Sequence, residues 1–375
     1  MSIVFLLSHL PNPRMVKRVS TASSVSDVAV ICWDRGIEVK NKNPLPEGVT
    51  EYDLHIKGNE GKPLSRLGST CRFVFATLML LKKLSPVIIY TSKLDMLFAV
   101  KLYNLFAKNK PKIVYEVSDM HELVFDSPHS FMRRMLKQLL INVEKRLCRI
   151  IGLLIVTSPG FYDDYYAAFV PPERMMFIPN MPRPEVFNAY TKKREGTFTI
   201  GWIGLVRYKE QMKMMVDAAE KCGVNVLIAG SGVDYDEIEQ YTHNKPFVEF
   251  YGAYKYEKEI ASLYEKVDCI CAVYDSSIRN VRVALPNRLY EAVVCGVPII
   301  AAAGTALGKQ VEELDVGLTV KAFCYEEMYK AINKLKQDTG FYNSKTEQCN
   351  KLKNQFSYDV HGNKLMEKLR RLLHA

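Results

Sequence analysis

A chain of 375 residues exceeds the usual size of one hydrophobic core, so two domains are expected. With 48% apolar residues it can fill two cores, yet no run approaches the roughly 18 uninterrupted apolar residues of a membrane span. A net charge of +10, spread along the chain without block tails, argues for phosphorylated small molecules or an anionic membrane surface and against nucleic acid.

Ser2 to Leu7 reads as a first buried strand, too short and too poorly flanked by basic residues for a signal peptide. Ser8 to Arg14 (SHLPNPR) is a loop leading into a helix that carries Arg18. Val25 to Trp33 is a second strand, and the polar, turn-rich stretch Asn41 to Asn59 reads as surface. A helix over Arg72 to Leu84, a strand over Pro86 to Tyr90, a helix over Leu94 to Ala107 and a strand over Ile113 to Val117 follow. This alternation is the pattern of a parallel, doubly wound sheet. Ser118 to Glu122 (SDMHE) stands at the carboxyl end of the last strand, where such sheets bind ligands. Asp119, His121 and Glu122 are therefore candidate general bases, with helix capping and plain solvation as the alternative. Phe131 to Arg149 forms an apolar-striped helix with Arg133, Arg134, Lys137, Lys145, Arg146 and Arg149 on its polar side. It is either a solvated surface helix or one that lies on an anionic membrane.

Ile150 to Thr157 is a further strand, and Asn180 to Lys193, with two prolines and a basic run, reads as a linker. A second series begins at Thr197 to Ile203. It continues through strands at Val224 to Ala229, Val248 to Tyr251, Asp268 to Tyr274 and Ile299 to Ala303, and an edge strand at Gly317 to Val320. Helices lie between them, and a terminal helix spans Phe356 to Leu373. Pro286 suits the first turn of a short helix that Gly296 ends. Nine cysteines without a CxxC pair or metal-like cluster fit reduced, structural thiols and a cytoplasmic setting.

Three elements of the second series meet at one sheet edge: Gly204 with Arg207 and Lys209, the Gly230 and Gly232 loop, and the amino end of the helix at Pro286. Glycine admits close backbone approach, arginine grips a phosphate bidentately, and a helix amino end offers N–H donors near Asn287 and Arg288. Together they suggest a diphosphate site, although each glycine also reads as a strand-ending turn. The spacing is neither GxGxxG nor GxxxxGK[ST], which disfavours a redox dinucleotide and a P-loop mechanism. Asp234 and Asp236 form a DxD that reads as the acidic opening of a helix rather than a metal site.

The segments GWIGLVRYKE (201 to 210), VLIAGSG (226 to 232), VEFYGAY (248 to 254), DCICAVYD (268 to 275) and LPNRLYEAVVCGVPIIA (285 to 301) resemble, in order, those of GT-B fold glycosyltransferases. The likeness is to the family 4-like bacterial polysaccharide enzymes, and the last segment is the most specific. The resemblance implies an α/β chain of two Rossmann-like parallel-sheet domains facing a cleft, the C-terminal helix crossing back to the first. The domains would be 1–182 with part of 356–375 for the acceptor and 197–355 for the donor, joined by a linker at 183–196. It further implies a hexosyl-type transferase that moves a sugar from a UDP-sugar or similar nucleotide-sugar donor to a hydroxyl of a growing surface glycan or lipid-linked acceptor. No cofactor or metal would be needed, and the enzyme would be cytoplasmic or peripheral on the inner face of the membrane.

In that reading Glu291 holds the ribose, while Arg207, Lys209 and the amides of Asn287, Arg288 and Leu289 meet the diphosphate. The base lies near Gly252 to Tyr254, and Asp119 accepts the acceptor's proton, with His121 or Glu122 as alternatives. Two features depart from the family. The position that retaining members usually fill with a second glutamate is Val283, so retention and inversion both stay open, and LPNPR replaces an amino-terminal Gly-Gly loop. A non-catalytic nucleotide-sugar binder and a nucleotide-sugar epimerase of the same fold are the alternatives.

Overall fold

Residues 2–36, 43–57, 63–120, 130–191 and 196–374 are described in this computed structural model, side chains 63–67 excepted. His121 and Glu122 lie outside the described residues. The chain divides into two compact units, Met1–Pro179 with Asp359–Ala375, and Asn180–Tyr358.

Five apolar residues in succession leave no face for water, and Ile3–Leu7 accordingly forms β1 in the interior of the first sheet. With β2 (Val28–Asp34), β3 (Thr50–His55), β4 (Ile88–Ser92), β5 (Lys112–Val117), β6 (Leu153–Val156) and β7 (Met175–Phe177) it makes an all-parallel sheet of order β3-β2-β1-β4-β5-β6-β7. The helix Pro13–Ser23 joins β1 to β2, its start fixed by Pro13 and by the Asn12 side chain, which accepts from the Met15 amide at 3.0 Å. The terminal helix Tyr358–His374 lies almost wholly in this first unit, where His361 meets the Phe177 ring edge-on.

The second unit repeats the plan with β8 (Thr199–Ile203), β9 (Asn225–Ala229), β10 (Val248–Gly252), β11 (Cys269–Ala272), β12 (Ile299–Ala302) and β13 (Gly317–Val320), all parallel, in the order β10-β9-β8-β11-β12-β13. Each order reverses direction once, at β1/β4 and at β8/β11. Such switch points are where open α/β sheets take ligands.

Three elements differ from the sequence reading. Thr50–His55, placed on the surface by its polarity, is the edge strand β3, and its polar side chains pair with the next strand. Cys32 Sγ donates to Asp53 Oδ1 at 2.7 Å, and His55 Nδ1 lies 2.7 Å from Asp34 Oδ2. Thr339–Leu352 is an additional helix, and Pro184–Phe187, inside the expected linker, is a 3₁₀ turn with Phe187 buried against Tyr264. All nine cysteines are free, and seven are buried.

One charged cluster fastens the first unit internally. Glu116, inside the apolar run of β5, is almost fully buried and can remain so only if paired. Arg18 from the first helix donates Nε to it at 3.1 Å and reaches the Ile178 carbonyl at 3.1 Å. Arg14 Nε lies 3.1 Å from its other oxygen, close as an ion pair but not aligned as a hydrogen bond, and the Tyr90 hydroxyl donates to it as well. Burial pushes the Glu116 carboxyl up, but Arg18, Arg14 and Tyr90 outweigh it and hold the group below the usual carboxylate range.

Glu116→Gln leaves two guanidinium groups without their anion and should destabilise the protein by about 3–5 kcal/mol near neutral pH in chemical denaturation. A depressed folded pKa adds stability that is present above the unfolded value and lost as pH falls through the folded one. The gap between wild type and variant should therefore stay constant from about pH 5 to 8 and narrow as pH falls below the ordinary carboxylate value of about 4.3.

Candidate active site

The donor-side residues collect at the carboxyl ends of β9, β8 and β11, three neighbouring strands of the second sheet. Its centre is Arg288, on the helix Asn287–Val294. Pro286 is the residue before this helix rather than part of its first turn. Arg288 is buried, its Nε donating to the Ile203 carbonyl at the end of β8 and its Nη1 to the Tyr274 hydroxyl just past β11. The guanidinium thus ties together the two strands of the switch point. Trp202 and Tyr274 each present a ring at 5.2 Å from its central carbon, a cation–π arrangement.

This crossing determines which residues can follow. Gly204 has φ +125, and a Cβ there would run into the Arg288 guanidinium. Gly230, at φ +143, could carry no side chain because a Cβ would overlap the Gly204 carbonyl. Gly232 likewise passes close to the Val206 carbonyl, and the Val206 amide donates to Ser231 at 3.0 Å. The glycines read as a phosphate cradle are thus, first of all, what lets two strand-end loops close over an arginine.

Arg207 and Lys209 part company. The Arg207 guanidinium lies 4.6 Å from the Tyr208 ring centre, Tyr208 packs on Tyr274 at 5.3 Å, and Tyr274 bonds Arg288. Arg207 and Arg288 therefore flank one tyrosine pair. Tyr208 holds this position in a left-handed backbone conformation (φ 71), costly for a side chain of its size. Lys209 instead gives its ammonium to Glu237 at 2.8 Å, which Lys213 shares at 2.7 Å. Its amide donates to Asp234 Oδ2 at 3.1 Å, so the first aspartate of the DxD serves a helix start.

One turn beyond Arg288, Glu291 is buried among phenols. Oε1 accepts from Tyr256 at 2.7 Å and Oε2 from Tyr264 at 3.1 Å. Tyr254 is half-buried, and its phenol is raised by burial and then by the Glu291 charge, which sets it beside this group. Gly252 has φ +80, and its carbonyl accepts from the Gly230 amide at 2.7 Å, linking the base-side segment to the glycine loop. Asn287 accepts from the Asn180 side chain at 2.6 Å. Leu289 is a core side chain whose amide is already bonded to the Pro286 carbonyl at 3.3 Å, so it is not a free donor for a diphosphate.

In the first unit Asp119 is exposed just past β5, with the Ser118 hydroxyl 3.5 Å from Oδ2. Sequence reasoning missed Trp202, Tyr208, Tyr256, Tyr264 and Tyr274. No spacing rule joins these aromatic residues, which meet only because their strands are adjacent. Glu116 and Arg18 did carry a signal, as charges set in apolar runs.

Residues 197–338 match the family described as "Glycosyl transferases group 1". Over 359 residues the chain is 25% identical to the succinoglycan biosynthesis protein ExoL of Rhizobium meliloti (strain 1021), covering 89% of this chain and 85% of that one. Sucrose-phosphate synthase from Thermosynechococcus elongatus superposes with a TM-score of 0.76 at 14% identity over 100% of both chains. Anabaena HepE, in its complex with UDP-glucose, superposes at 0.73 and 16% over 99% of this chain and 100% of that one. With two doubly wound parallel sheets and this matched domain, the chain is a glycosyltransferase of the GT-B fold, and residues 197–338 are its group 1 glycosyl transferase domain.

Proposed function

We propose that this enzyme transfers a hexose-type sugar from a UDP-sugar to a hydroxyl of a growing surface glycan or its lipid-linked precursor. The observation that carries the donor side is Arg288, a buried cation at the β8/β11 switch point whose hydrogen-bond partners are a carbonyl and a phenol, both neutral. A nucleoside diphosphate supplies the anion that such a site favours, and UDP-glucose is what HepE holds in its complex. The polysaccharide context of ExoL supports the glycan acceptor.

In this proposal Arg288 and Arg207 stabilise the leaving diphosphate as negative charge grows on it, aided by the amino end of the helix at Asn287. That arrangement needs no metal, and transfer should persist in excess EDTA. The ribose joins Glu291 on the side held by the half-buried Tyr256, since a carboxylate can accept about four hydrogen bonds. The base packs near Gly252 and Tyr254. Asp119 takes the proton from the acceptor hydroxyl.

Arg207→Ala should weaken UDP binding about ten-fold by calorimetry, the scale of one lost charge-assisted hydrogen bond, while Lys209→Ala changes it by less than about three-fold. Equal losses at both positions would return Lys209 to the diphosphate and overturn the division argued from Glu237. Glu291→Gln should likewise weaken UDP about ten-fold. Asp119→Asn should lower kcat by roughly 10²–10⁴-fold with UDP affinity unchanged. Wild-type turnover in that variant would remove Asp119 as base, and UDP binding without turnover of any donor would favour a non-catalytic binder.

A further inference from the structure

Three neighbouring strands of the first sheet, β2, β1 and β4, end at its switch point in a group of polar side chains outside the donor site. Ser8 follows β1 and Ser92 ends β4. Both are buried, and neither hydroxyl has a hydrogen-bond partner among the described residues. An unmade hydrogen bond in the interior is costly, so such a pair calls for an explanation. Arg35, just past β2, donates Nη2 to the Ser8 carbonyl at 3.0 Å, lies 4.6 Å from the Trp33 ring centre and leaves Nε unpartnered. It repeats what Arg288 does at the other switch point: a guanidinium on a strand-end carbonyl beside a tryptophan, with no bonded anion among the described residues. Lys93, directly after β4, holds a left-handed φ of 68, costly for a residue with a side chain, and caps the helix Leu94–Phe106 without a side-chain bond.

These groups share one neighbourhood. Burial pushes the His9 imidazole down to about 4, against the Leu10 carbonyl 2.7 Å from Nδ1, and Lys93, Arg14 and Arg35 all push it the same way as burial. Desolvation raises the Asp95 carboxyl, against the Met96 amide and again against Lys93 and Arg35. The charges do not cancel. Arg14 and Arg18 share one carboxylate, Glu116, and Arg35 and Lys93 have Asp95 between them, so four cations meet two acids and two positive charges are in surplus. Asp34 is engaged elsewhere, accepting from the Gly36 amide at 2.8 Å and facing His55.

A phosphate monoester carries about 1.5 to 2 negative charges and three strong acceptor oxygens, and a diphosphate diester carries a similar charge. Either matches two uncancelled cations and two idle hydroxyls, whereas a carboxylate brings one charge and a neutral glycan none. We infer that the switch point of the first sheet binds a phosphate group carried by the acceptor, which makes the acceptor a sugar phosphate, free or esterified to a lipid. Arg35 and Lys93 are its principal contacts. This inference rests on the proposed transfer to a glycan hydroxyl and adds the charge by which the acceptor is held.

Calorimetry on the full-length protein, with the donor site saturated by UDP, reads this site separately. Glucose 1-phosphate should bind about ten-fold or more tightly than glucose. K93Q alters an exposed side chain and R35Q a half-buried one, and each should weaken glucose 1-phosphate about ten-fold with thermal midpoint and UDP affinity unchanged. R207A should leave glucose 1-phosphate binding as it is. Octyl glucosyl diphosphate distinguishes the two sources: tighter binding than glucose 1-phosphate supports a lipid-linked acceptor, and weaker binding supports a free sugar phosphate. No preference for glucose 1-phosphate over glucose, or undiminished binding in K93Q, overturns the inference. So does tighter binding of glucuronate, which assigns a carboxylate, or inorganic phosphate binding as tightly as glucose 1-phosphate, which assigns a free ion. Should UDP itself fail to bind, the donor reading falls, while the same titrations without UDP still test this site through K93Q.

Discussion

The second unit depends on burying one guanidinium at the carboxyl ends of two strands. A buried cation is tolerated only where its donors find acceptors, and Arg288 finds them in the Ile203 carbonyl and the Tyr274 hydroxyl. Ile203 ends β8 and Tyr274 follows β11, so these bonds fix the two sides of the switch point relative to each other. The glycines are consequences. Residue 204 combines φ +125 with a guanidinium lying over it, which together favour glycine, and residue 230 must lack a Cβ because the carbonyl of 204 fills that space. The aromatic packing follows too, because the tyrosine that binds Arg288 also stacks on Tyr208 and brings Arg207 alongside.

The first unit solves a similar problem with opposite electrostatics. Arg18 also crosses from a helix to the sheet and also takes a backbone carbonyl, that of Ile178, but its principal partner is a buried carboxylate. There the cation is cancelled and serves as a fastening. Arg288 hydrogen-bonds neutral oxygens and lies beside aromatic rings, and the one helical acid whose charge reaches it, Glu291, is also bonded by Tyr256 and Tyr264. Of Arg18 and Arg288, the one without a directly bonded anion is the one with charge left for a phosphate. This distinction rests on partners, and two arginines look alike in a sequence.

What could be read in advance follows the same division. The two parallel sheets were legible because strands buried on both faces are written as unbroken apolar runs, as in IVFLL and IIAA. The strand Thr50–His55 was not, since TEYDLH is an edge whose polar side chains pair across to Cys32 and Asp34. Thr339–Leu352 escaped because its buried set, Tyr342, Lys345 and Cys349, is too polar to mark an apolar face. In the site, Gly204, Gly230 and Glu291 stood at legible places, but the reason for each lies in a partner distant in sequence. Lys209 and Arg207 look equivalent on paper, and only Glu237, 28 residues away, separates them.

The helix Phe131–Cys148 shows where periodicity stops informing. An amphipathic pattern states that two faces differ, and convention assigns the apolar one to the core. Here the inward face is the short C-terminal patch of Glu144, Leu147 and Cys148, and the longer apolar stripe faces out. The sequence does hold a clue to this inversion in the placement of charge. Arginines at 133 and 134 interrupt the stripe at the helix start, where a core-facing helix would suffer two desolvated cations and where the helix dipole favours acids. A pattern that is wrong for an interior on both counts marks a helix that buries only its C-terminal end.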